Sequence, residues 1–154
     1  MAGAPESRAA SFAVRTDSSA LRRSAPGLIT GPLFLELGGS AFPAPGWNDF
    51  PVVILGWWIR AVLELQGTGA ACCCRFMDGP FEFEVKRAGP VWELRLVERR
   101  VATVQVLRVE RVSPAEVLLA IHAAADALLK VCKERSWSSR DVDELQAARN
   151  ALCQ

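Results

Sequence analysis

Met77-Asp78-Gly79-Pro80 restricts the fold of this chain more than any other stretch, because it separates two runs of strand character. Asp-Gly suits the two central positions of a type I′ hairpin turn, where positive φ is required: glycine adopts it freely and aspartate tolerates it. Pro80 has no amide hydrogen for a ladder and therefore belongs at the first residue of the next strand. Beyond it Phe81, Phe83 and Val85 alternate with Glu82, Glu84 and Lys86, the period of a sheet with one packed and one wet face. The run beginning at Cys72 supplies the partner strand.

The pattern continues into a sheet. After Ala88-Gly89-Pro90, Trp92, Leu94 and Leu96 alternate with Glu93, Arg95 and Val97, and Arg99-Arg100 marks the next reversal. Val101 to Val109 is apolar or neutral on both sides until Arg108, the composition of a central or helix-covered strand. These four runs form an antiparallel meander with Glu82, Glu84, Glu93 and Arg95 on its wet face. Upstream, LITGPLFLEL (Leu28 to Leu37) reads as a strand or pair of short strands, bent at Gly31-Pro32 and stopped by Gly38-Gly39.

Three helices complete the expected fold. Asn48 or Asp49 caps the first, from about Pro51 to Gln66, whose apolar stripe is Ile54, Leu55, Trp58, Ala61, Val62 and Leu65, with Arg60 and Glu64 opposite. Trp57 and Trp58 diverge by about 100°, so one is core and the other flanks it. Ser113-Pro114-Ala115-Glu116 is a capping box with proline at the first helical position, followed by the stripe Val117, Ile121, Ala124, Leu128 and Val131. A break at Ser136 to Ser139 precedes a short helix capped by Ser138 and Asp141, with Val142, Leu145, Ala148 and Leu152 inward. The fold class is α+β: an antiparallel meander of four to six strands packed against one long amphipathic helix after the first strand and two C-terminal helices. With 154 residues, 51% of them hydrophobic, the chain supports one domain over residues 27–154. Residues 1–26, rich in Ala, Ser and Arg, have little to bury and read as a flexible tail, although the acid-poor composition also suits an organelle transit peptide.

A net charge of +1 provides no whole-chain field for nucleic acid or an anionic membrane. Arg99, Arg100, Arg108 and Arg111 are interleaved with Glu98 and Glu110, a mixed surface rather than a nucleic-acid edge. The longest apolar run, Phe50 to Ile59, ends at Arg60, short of the roughly eighteen residues of a membrane span. The five cysteines, three of them consecutive, suit reduced thiols in a cytoplasm better than a disulfide framework. Only Cys72 and Cys74 share a side of a strand, and no C-x-x-C or nearby histidine completes a zinc site. His122 is the sole histidine and sits mid-helix with no partner specified by spacing. Turn and wet-face roles account for Asp78, Glu82 and Glu84 without catalysis, and phosphate-loop, Rossmann, zinc-protease and nucleophile-elbow patterns are absent. No catalytic residue, metal or cofactor is expected.

Three blocks carry a resemblance: FPAPGWNDF (Phe42 to Phe50), LGWW (Leu55 to Trp58) and RFMDGPFEFEV (Arg75 to Val85). In this order and spacing they resemble small bacterial immunity-type proteins encoded beside polymorphic or contact-dependent toxins. Such proteins carry an acidic-aromatic W-x-D before a Trp-bearing helix and an F-M-D-G-P hairpin. The resemblance implies a cytoplasmic, non-catalytic protein that binds a cognate toxin domain and neutralises it by occlusion, as monomer or homodimer. The side chains placed to meet that partner are Trp47, Asp49, Asp78, Glu82, Glu84 and Glu93, aromatics with nearby acids being suited to interface anchors. Many such inhibitors are acidic to match nuclease toxins, and the +1 charge departs from that. The alternatives are a type III-like secretion chaperone, which takes an effector segment along its sheet, and a small enzyme built around His122.

Overall fold

The structure, a computed structural model, describes residues 9–152; residues 1–8 of the expected tail and Cys153 lie outside the described residues. It begins with a strand where a flexible tail was expected. β1 (Phe12–Thr16) lies antiparallel to β3 (Ile29–Leu37), with Phe12 opposite Leu37 and Thr16 opposite Leu33. A 3-10 turn over Ser18–Ala20, held by Asp17, leads into β2 (Arg22–Arg23), which also pairs with β3. The tail assignment fails over these residues because Phe12 and Leu21, each 3% exposed, are diluted by Ala, Ser and Arg in the averaged composition. Their partner, β3, lies farther along the chain. The domain accordingly extends N-terminal to residue 27. β4 (Ser40–Phe42) and β5 (Asn48–Asp49) complete a five-stranded sheet around β3, whose Leu33, Leu35 and Leu37 are fully buried.

α1 (Pro51–Gln66) has the expected bounds. Its N-cap, however, is Phe50, which makes no side-chain capping bond, so neither Asn48 nor Asp49 plays that part. At the other end Arg87 donates to the carbonyls of Leu65, Gly67 and Gly69, supplying donors where the helix ends in unpaired acceptors. Trp58 is fully buried and Trp57 is 44% exposed, the expected division between the two.

The meander forms in the expected order: β6 (Ala71–Arg75), β7 (Phe81–Ala88), β8 (Val91–Arg99) and β9 (Val104–Val112), each antiparallel to the next. The turn itself differs from type I′. Gly79 takes φ +70° while Asp78 does not enter the positive region, and the loop is closed by the Phe76 amide donating to the Phe81 carbonyl at 3.1 Å. β9 also departs from expectation, being neither central nor helix-covered. It is the edge of the sheet, exposed along most of its length, with a bulge that leaves Leu107 unpaired between Leu96 opposite Arg108 and Val97 opposite Val106.

α2 (Pro114–Glu134) is capped by Ser113, whose Oγ accepts from the Glu116 amide at 3.4 Å. The reciprocal half of the capping box is diverted: Glu116 Oε1 accepts from the Phe12 amide at 3.1 Å and ties α2 to β1. α3 (Arg140–Leu152) is capped by Ser139, which accepts from Val142 at 3.2 Å, rather than by Ser138. One buried cluster joins both sheets and all three helices. Trp58 is at its centre, edge-on to Phe76 and Phe83 at centroid separations of 5.2 and 4.9 Å, its Nε1 donating to the Arg75 carbonyl at 2.8 Å. Phe12 meets Phe83 at 6.3 Å and so joins the two sheets. Among the described residues no helix is long and apolar enough to cross a membrane.

Candidate functional site

Because side chains alternate along a strand, the face of the meander opposite Trp58 is built from Cys73 and Arg75 on β6, Glu82, Glu84 and Lys86 on β7, Glu93, Arg95, Val97 and Arg99 on β8, and Val104, Val106 and Val109 on β9. Register brings Glu84 between Cys73 and Arg95, and Glu82 between Arg75 and Val97. Three of the six expected partner-binding residues, Glu82, Glu84 and Glu93, therefore share this face. Glu84 and Glu93 are half-buried and paired, Glu84 with Arg99 at 3.1 Å and Glu93 with Arg95 at 3.0 Å. A cavity of about 210 Å³ lies between Glu84, Lys86, Glu93 and Arg95.

Glu82 is not on a wet surface. It is 4% exposed, accepts from Arg99 Nε and from the Cys73 thiol, and has Arg75 beside it. Burial pushes its carboxyl up, but the Cys73 hydrogen bond, Arg99 and Arg75 outweigh that and hold it below the usual value. Desolvation first, and then the hydrogen bond and charge of the neighbouring Glu82 carboxylate, push the Cys73 thiol up to about 12 although the residue is exposed. Cys72 and Cys74 lie on the opposite, core-facing side; a hydrogen bond from Cys74 lowers Cys72, while burial raises Cys74. Alternation alone identified the face of Glu82 but not its cover. Cys73, Arg75 and Arg99 reach it from two other strands.

Trp47, Asp49 and Asp78 are gathered elsewhere, at the hairpin tip. Asp49 is 1% exposed and accepts from Trp47 Nε1 at 3.0 Å, from the Phe50 amide at 2.8 Å and from the Asp78 amide at 3.1 Å. Trp47 stands edge-on to Phe81 at 5.4 Å, and a Cβ on Gly79 would come within 3.1 Å of the Trp47 ring. Trp47 and Asp49 thus latch the loop before α1 to the hairpin, so neither is presented as a free anchor. Asp78 is exposed through its side chain and bound through its amide.

His122 Nδ1 is 3.4 Å from Asp126 Oδ2 one turn along α2, and Arg149 of α3 donates to the same carboxylate at 2.7 Å. The hydrogen bond from Arg149 holds the Asp126 carboxyl below its ordinary value. Among the described residues no three His, Cys, Asp or Glu side chains converge in metal-binding geometry. The residues that sequence patterning missed are the exposed apolar ones of β9, namely Val104, Val106, Leu107 and Val109. Their signal was present as an apolar run without alternation, which a covered strand and an uncovered edge share.

No protein-family model, curated protein or solved structure matches this chain.

Proposed function

We propose that this is a non-catalytic binding protein of the immunity type, which neutralises a cognate bacterial toxin domain by covering it with the outer face of the meander. The observation that supports this is the composition of that face. A paired charge ladder of Glu84, Glu93, Arg95 and Arg99 runs beside an uncovered apolar strip of Val104, Val106 and Val109. Apolar contact with a polar rim is how protein surfaces recognise one another. The acids are matched by Arg75, Lys86, Arg95, Arg99 and Arg111 on the same face, so the partner is met by both signs of charge rather than by an acidic patch. The free thiols of Cys72, Cys73, Cys74 and Cys132 suit action in the cytoplasm.

The test is co-expression with the toxin domain encoded beside it. The expected result is survival and recovery of a stoichiometric complex, with rescue weakened by Arg95→Glu. Cell death despite abundant soluble protein, with no complex recovered, overturns the proposal. A second class, the type III-like chaperone, has one feature in its favour: a groove of about 350 Å³ between β1 and α2, where Leu119 is 70% exposed beside Phe12 and Val14. An extended effector segment would add there as a strand. Its discriminator is binding of a neighbouring effector's N-terminal segment in place of a folded toxin.

A further inference from the structure

β9 exposes apolar surface along an open edge. Val104 is 55% exposed, Val106 and Leu107 45% each, and Val109 48%. β8 occupies one side of the strand, and the other is closed at its C-terminal end, where the Ala10 amide donates to the Arg111 carbonyl at 2.8 Å. Among the described residues no backbone hydrogen bond reaches that outer edge between residues 104 and 110. Edge strands are ordinarily guarded by lysine, proline or a protruding charge. Here the two charges central to the strand are turned back onto the protein: Arg108 Nη1 donates to the Leu37 carbonyl at 2.8 Å and its Nε to Glu110 at 2.9 Å. The bulge at Leu107 is the remaining guard, and it leaves the valines in solvent.

We infer that this edge is the interface of a homodimer, formed by antiparallel pairing of β9 with β9 of a second copy about a two-fold axis. The strand is self-complementary within its open length. Setting Val104 opposite Val109 of the second copy brings Val106 beside Leu107, Gln105 beside Arg108 and Thr103 beside Glu110, with no like charges opposed. The pairing stops before residue 111, where Ala10 already occupies the edge. It would place the valine strips of both copies side by side at the centre of one continuous sheet. An edge contact of this length belongs to the small end of specific interfaces, so micromolar association is expected. This inference does not depend on the toxin assignment.

The test is sedimentation equilibrium of the full chain between about 1 and 100 µM, the span over which micromolar association becomes visible. The expected mass rises to twice that of one chain; Val106→Lys and Val109→Lys abolish the rise with unchanged circular dichroism, and Leu119→Lys, exposed on α2 in the groove against β1, leaves it intact. Amide exchange supplies a second measurement on the unaltered chain: protection over residues 104–109 should increase with concentration. A single-chain mass throughout, a dimer that survives both β9 lysines, or exchange in this segment that ignores concentration overturns the inference.

Discussion

Glu82 shows what pairing does to one carboxylate in this fold. Its neighbours hold it below the 4.5 of an unperturbed glutamate, so ionised Glu82 stabilises the folded state above that value, and the contribution disappears as pH falls through the depressed folded value. Glu82→Gln should remove that part of the acid sensitivity. Chemical denaturation at pH 7 and at pH 3 should show a smaller loss of stability on acidification for the variant than for the wild type. Equal losses would mean that the Arg99 and Cys73 contacts do not hold in solution. The residue was legible in sequence as one position of an alternating strand. Its burial was not, because Cys73 and Arg99 are nine and seventeen residues away and are delivered by sheet register.

At the scale of elements, those with a strong internal period formed as the sequence indicates: β7 and β8 from their alternation, α1 from its stripe, α2 from Ser113 and Pro114. Apart from β1 and β9, the misassigned pieces are polar groups at element ends. Asp49, a plausible helix cap by position, instead joins β5 to the hairpin, and Glu116, a plausible capping-box partner, instead binds the start of β1. A short polar side chain next to a helix start has several donors within reach, and packing selects among them. Asp49→Ala would leave the partly buried Trp47 Nε1 and the Phe50 and Asp78 amides without their acceptor, a loss of about 2 to 4 kcal/mol. Asp49→Asn, which keeps one carbonyl oxygen, should lose less. Urea denaturation of the two variants checks both the size and the order; a neutral Asp49→Ala would refute the latch.

For the whole molecule, the decisive contact is the one that joins the N-terminal strand to the rest. Phe12 is 3% exposed and meets Phe83 across the two sheets, so Phe12→Ala should cost about 3 to 5 kcal/mol in equilibrium denaturation, the range for a buried phenylalanine. A change within about 0.5 kcal/mol, typical of a surface site, would restore the flexible-tail description. By itself the sequence determined the α+β class, the order of the meander, the three helices and the position of the hairpin, since periodicity and turn residues act over a few neighbours. Tertiary structure decided the incorporation of β1, the burial of Asp49 and Glu82 and the exposure of β9. Each depends on which distant strand or loop lies alongside, and local patterning does not encode that pairing.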